Sequence, residues 1–173
     1  PAGTFLSFNA LFIILLAPVF AWLWVKMGKY NPNTAVKFSL ALMLVGLGFG
    51  ALVMGINVSG LGKVAAIWLI LTYFLHTCGE LCLSPIGLSL VNKLAPLKFG
   101  SLLMAVWFTA NAFANKLAGV FSALYPENGK TTSFIGYQIT NLHEFFMFFV
   151  GMAGVASIIL FFLSKKLKNL MEQ

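Results

Sequence analysis

Five long apolar runs, separated by short stretches that collect lysine, asparagine, proline and glycine, set the pattern of this chain. They cover Phe5–Val25, Phe38–Ile56, Val64–Asn92, Phe99–Leu124 and Phe145–Ser164, and only Glu80 interrupts the third and Lys116 the fourth. A helix rising 1.5 Å per residue needs about 20 residues to cross a hydrocarbon core of about 30 Å, and shorter runs near that length still fit. The pattern predicts five transmembrane helices in one bundle spanning residues 1–173, an all-α membrane protein. Composition agrees: the chain is 60% hydrophobic and 9% charged, with a mean hydropathy of +0.94. Its 11 lysines and four glutamates are too few to coat a soluble domain of this size. The net charge of +7 comes without the clustered basic and aromatic surface that nucleic-acid binding needs.

Lysine placement orients the helices. With the carboxyl terminus in the cytoplasm, the inner side receives Lys26, Lys29, Lys37, Lys93, Lys98, Lys165, Lys166 and Lys168, and the outer side receives Lys63 and Lys130. The positive-inside rule therefore predicts an external amino terminus and a cytoplasmic carboxyl terminus. No signal-peptide pattern opens the chain, which begins at Pro1 rather than Met. An odd helix count with an external start points to a piece of a longer protein. The longest connection, Pro126 to Glu144, is expected to be polar and external.

Two motifs reduce to packing. Cys78 and Cys82 share a face of the third helix near His76, but buried thiols are common in apolar cores and a disulfide within one helix would be strained, so no metal is assigned. Gly46 and Gly50 have the spacing that lets helix backbones approach, and Ala110, Ala114 and Ala118 repeat it in the fourth helix; both predict helix contacts. The Gly46–Gly50 run lacks the strand and the lysine of a phosphate loop.

Glu80 is different. It lies near mid-depth of its helix, where an ionised carboxylate facing lipid costs at least roughly 2.5–3.5 kcal/mol. It is therefore expected to face protein or water, and Tyr73, Thr77, Glu80, Ser84 and Gly87 fall on one stripe of the helix. Pro85 and Gly87 offer a place for that helix to bend. A mid-depth acid on such a helix suits a moving part of a transporter, or a Glu–Lys pair that merely holds helices together. Asn9 can hydrogen-bond either a ligand or a neighbouring helix. Trp107 and Asn111, one turn apart, could line a cavity, although such aromatics more often pack or anchor. Lys116 can snorkel outward. Ser84 lacks a histidine base within reach, which argues against an intramembrane hydrolase.

The run Gly79-Glu-Leu-Cys-Leu-Ser-Pro-Ile-Gly-Leu-Ser89, followed by Lys93-Leu-Ala-Pro96, Met104-Ala-Val-Trp-Phe108 and Ala114-Asn-Lys-Leu-Ala-Gly119, resembles the proton-dependent oligopeptide transporter family of the major facilitator fold. The opening Phe5-Leu-Ser-Phe-Asn-Ala-Leu-Phe-Ile-Ile14 resembles that family's eighth helix, with Leu6 where Gln and Ala10 where Pro is usual. The resemblance covers essentially the whole chain and implies helices eight to twelve of the carboxyl-terminal six-helix bundle. It implies proton-coupled symport of di- and tripeptides across a bacterial plasma membrane by alternating access, together with the amino-terminal half of the same transporter. It assigns substrate contacts to Asn9, Glu80, Ser84 and Trp107, with Glu80 as the acid that meets the peptide's amino end and exchanges with a lysine of the other half. No cofactor or catalytic residue is implied. Two other readings remain open at this stage: the same fold carrying nitrate or a peptide-like metabolite, and a membrane scaffold that transports nothing.

Overall fold

The structure, a computed structural model, describes residues 2–60, 64–94, 96, 98–126 and 131–171. Pro1, Lys63, Ala95 and Lys130 lie outside the described residues. Five α-helices dominate: α1 (Ala2–Met27), α2 (Thr34–Ser59), α3 (Ala66–Leu94), α4 (Gly100–Ser122) and α5 (Leu142–Met171). A single 3-10 turn at Gly28–Tyr30 links α1 to α2. Asn33 caps α2, its Oδ1 accepting from the Val36 amide at 2.8 Å, the usual way to satisfy a first-turn donor. Four of the helices are long and apolar enough to cross a membrane among the described residues. The other, α4, has 23 residues and is diluted by Thr109, Asn111, Asn115 and Lys116.

Between α4 and α5 the expected loop contains a β-hairpin, β1 (Thr132–Phe134) paired antiparallel with β2 (Tyr137–Ile139). Its two-residue turn is Ile135-Gly136, with φ of 48° and 81°. Positive φ at both positions defines the turn that matches strand twist, and it favours Asn-Gly. An isoleucine held there carries about 1–2 kcal/mol of backbone strain.

The chain divides into two compact units. The first combines residues 1–84 with 146–173 and is held by close helix approaches. Ser39 and Ser157, both buried, clasp α2 to α5: each hydroxyl donates to the other's carbonyl at 2.8 Å. Glycine makes room elsewhere. His76 fills the space beside Gly48, Trp68 lies over Gly55, and Gly79 sits against the Ala41 carbonyl. Thr72 Oγ1 joins α3 to α2 through the Gly48 carbonyl at 3.0 Å. Phe49 stacks on Phe149 at 5.1 Å.

These contacts revise two packing expectations. Gly46 does face α5, with Ala153 Cβ 3.3 Å from where its own Cβ would stand, but Gly50 opens onto nothing within 4 Å. The approach is made by Gly46 and Gly48 toward two different helices, because positions two apart point to different sides. Ala110, Ala114 and Ala118 are exposed along α4, unlike Gly46. A double-mutant cycle of Ser39→Ala and Ser157→Ala, read by unfolding of the full-length protein in detergent, is expected to give a coupling of about 1–2 kcal/mol, at the upper end for membrane-helix hydrogen bonds because two bonds are shared. A coupling near zero would mean that the clasp adds nothing to the α2–α5 contact.

The second unit, residues 85–145, contains the end of α3, all of α4, the hairpin and the start of α5. Trp107 of α4 lies over Gly87 of α3, where any Cβ would collide with the indole. Asn141 caps α5, accepting from the Glu144 amide at 2.9 Å, while Glu144 Oε2 reaches back to the Thr140 amide at 2.7 Å. The arrangement is like a capping box, with the returning bond displaced by one residue to the amide before the cap. The α-helical hydrogen bonding of α3 continues past Pro85 to Leu94.

Candidate functional site

Two helices of the first unit build the site. Asn9 lies in α1 and Glu80 in α3, 71 positions apart, and the fold brings them into direct contact: Asn9 Nδ2 stands 3.2 Å from Glu80 Oε2. A carboxylate can only accept, so the Asn9 atom facing it is the amide nitrogen. The same nitrogen donates to Thr77 Oγ1 at 3.1 Å. Thr77 is wholly buried, and its hydroxyl hydrogen goes to the Tyr73 carbonyl one turn back at 2.7 Å. The chain of donors therefore runs from α1 into α3, and Asn9 is held with both amide hydrogens toward Thr77 and Glu80. Its Oδ1 is then the atom left to receive a donor from outside.

The expected polar stripe is visible in this geometry. Thr77 and Glu80 are neighbours on one face because they are three apart, and Ser84, half-buried, follows one turn beyond Glu80. Thr77 joins the site through its spacing of three from Glu80, although the family resemblance assigns it no substrate contact. Glu80 itself is exposed within this chain. Among the described residues the hydrogen-bond partner of its carboxylate is the Asn9 amide, and no lysine pairs with it. A neutral amide orients the carboxylate without cancelling its charge. Such a group can take up a proton or meet an ammonium.

Trp107 and Asn111 belong to the second unit. The Trp107 ring rests on Gly87 and is half-buried, and Asn111 is exposed. Gly87 on the stripe thus serves as the seat of an aromatic ring, a role that periodicity alone did not indicate. His76 is used in packing: its Nε2 is 3.2 Å from the Val45 carbonyl and its ring meets Phe49 edge-on at 4.8 Å. Cys78 and Cys82 are buried free thiols.

Comparison with known proteins adds an independent line. The sequence profile of the POT family matches residues 1–142. The chain is 42% identical over 130 residues to the uncharacterized transporter YclF of Bacillus subtilis, covering 75% of this chain and 26% of that protein. It is 36% identical over 165 residues to the di-/tripeptide transporter of Lactococcus lactis, covering 94% of this chain and 31% of that one. A crystal structure of a POT family transporter in complex with 5-aminolevulinic acid superimposes with a TM-score of 0.79 at 36% identity, over 92% of this chain and 30% of that one. The chain thus spans between a quarter and a third of the length of these relatives. It is an all-α integral membrane protein with the fold of those transporters, and it belongs to the POT family.

Proposed function

We propose that this chain forms helices eight to twelve of a proton-coupled di- and tripeptide symporter and works with the amino-terminal half of the same transporter. The observation that carries the reading is the Asn9–Glu80 contact, which presents an uncancelled carboxylate and an amide oxygen from two helices. These are the two kinds of acceptor that a peptide's ammonium and backbone amide require. The family relationship supports peptides as the cargo, since the Lactococcus lactis relative is a di-/tripeptide transporter. Protonation of Glu80, or its pairing with a cation, changes the charge at mid-depth and biases the two halves between inward- and outward-open states. Ser84, one turn beyond Glu80 on α3, and Trp107, which the family resemblance pairs with the peptide's side chains, are the further substrate contacts of this reading. The protein lies in a bacterial plasma membrane, with the start of this chain outside and its end in the cytoplasm, as the lysine distribution supports.

The test is uptake of a labelled dipeptide by proteoliposomes carrying the full-length transporter, with and without an inward proton gradient. Gradient-driven accumulation, inhibited by unlabelled di- and tripeptides but not by free amino acids or nitrate, is the expected result. Uptake indifferent to the gradient would remove proton coupling, and no uptake of any peptide would remove the cargo.

A further inference from the structure

The hairpin between α4 and α5 has a direction. Its first strand starts at Thr132, whose Oγ1 donates to the Leu124 carbonyl at 2.9 Å, just beyond the end of α4. It ends at Phe134, whose ring meets Phe121 at 5.8 Å inside the last turn of α4. The strand therefore runs back along the last turn of α4 and not away from it. The return strand agrees: Tyr137 donates its hydroxyl to the Glu144 carbonyl in the first turn of α5 at 3.4 Å, and Thr140 bonds the Glu144 carboxylate. Alternation places Ile139, which is wholly buried, and half-buried Phe134 on the side packed against the helix ends, and leaves Ser133 and Gln138 exposed on the other.

The tip then presents an oddity. Ile135 is 92% exposed, apolar and β-branched, in a left-handed conformation that asparagine or glycine would adopt more easily. An exposed residue that is both strained and water-averse is explained if its side chain is buried in something outside the chain. No charged residue occurs from Thr131 to Leu142. Strands of three residues extend about 10 Å, comparable to the roughly 5–8 Å interfacial layer on each side of the hydrocarbon. A hairpin tied to the end of α4 and to the start of α5, a helix long and apolar enough to span the bilayer, and folded back along α4, can deliver its tip into that layer.

We propose that the Ile135-Gly136 tip inserts into the lipid interface of the adjacent leaflet and anchors the α4–α5 connection to the bilayer surface. The occupant is the headgroup and upper acyl region of phospholipid, with Ile135 as the buried wedge, Tyr137 at headgroup level and the Ser133/Gln138 face toward water. On the proposed topology this is the outer leaflet.

The experiment uses the full-length transporter, freed of other reactive cysteines and reconstituted in phosphatidylethanolamine/phosphatidylglycerol vesicles, with an environment-sensitive fluorophore on Ile135→Cys or, separately, on Gln138→Cys. The label at 135 should emit at shorter wavelength than the one at 138, lose intensity with nitroxide-labelled lipid and resist aqueous iodide. The label at 138 should show the opposite pattern, which also reports that the hairpin is folded. Iodide quenching at 135 equal to that at 138 would place the tip in water and overturn the proposal. Protection at 135 from both quenchers would mean that protein covers the tip, from the rest of the transporter or a second copy, and would overturn it equally.

Discussion

Replacing Glu80 with Gln in the full-length transporter is expected to abolish gradient-driven dipeptide uptake while leaving the protein folded. Gln keeps the size of the side chain and can accept from Asn9 Nδ2 through its amide oxygen, so the α1–α3 contact at 3.2 Å survives. It removes the charge and the exchangeable proton. Hydrogen bonds to charged groups contribute roughly 1.5–3 kcal/mol, so peptide affinity alone should fall by about 10- to 100-fold at about 1.4 kcal/mol per factor of ten. Coupling to the gradient should be lost altogether, since no group at that position changes its protonation. Asn9→Ala is the milder companion: it frees the carboxylate from its orienting amide but keeps the charge, so uptake should weaken yet remain driven. Intact driven uptake in the Gln variant, with an unchanged melting profile, would reduce Glu80 to a residue that only holds α1 against α3.

The helices and the acid were legible in the sequence for simple reasons. A bilayer demands long apolar runs, and a carboxylate at mid-depth is costly enough to require an explanation wherever it occurs. Thr77 and Ser84 were legible as neighbours of Glu80 because helical spacing is local. Contact between Asn9 and Glu80 was not, since 71 positions separate them and only the packing of α1 on α3 joins them. The hairpin escaped notice because three-residue strands leave too short a period to read, and its turn uses Ile135-Gly136 in place of the Asn-Gly that would have announced it. Glycine spacing misled in a similar way. Gly46 and Gly50 have the familiar interval, yet among the described glycines the tightest approach onto backbone is at Gly79, which lies inside the motif that carries the family resemblance.

That position yields the largest expected effect on stability. A Cβ at Gly79 would stand 2.8 Å from the Ala41 carbonyl oxygen and 3.4 Å from Val45 Cγ2. A flexible side chain could swing aside, but a backbone oxygen within α2 can move only if the helix moves, so Gly79→Ala must separate α2 from α3. Overpacking of this kind costs about 1–3 kcal/mol, a large share of the roughly 5–15 kcal/mol typical of a folded protein. The same displacement acts on the neighbouring residue, Glu80, so driven uptake should fall even in the fraction that folds. Two buried thiols report it directly: Cys78 is 8% exposed and Cys82 is fully buried one turn from Gly79. Their modification by a small thiol reagent should be markedly faster in Gly79→Ala than in the wild type. Gly50→Ala is the control, since nothing lies within 4 Å of its added methyl, and thiol reactivity, melting and uptake should all be unchanged. If both variants behave alike, the close approach at Gly79 does not set the spacing of the helices, and the position of Glu80 must be fixed by its contact with Asn9 alone.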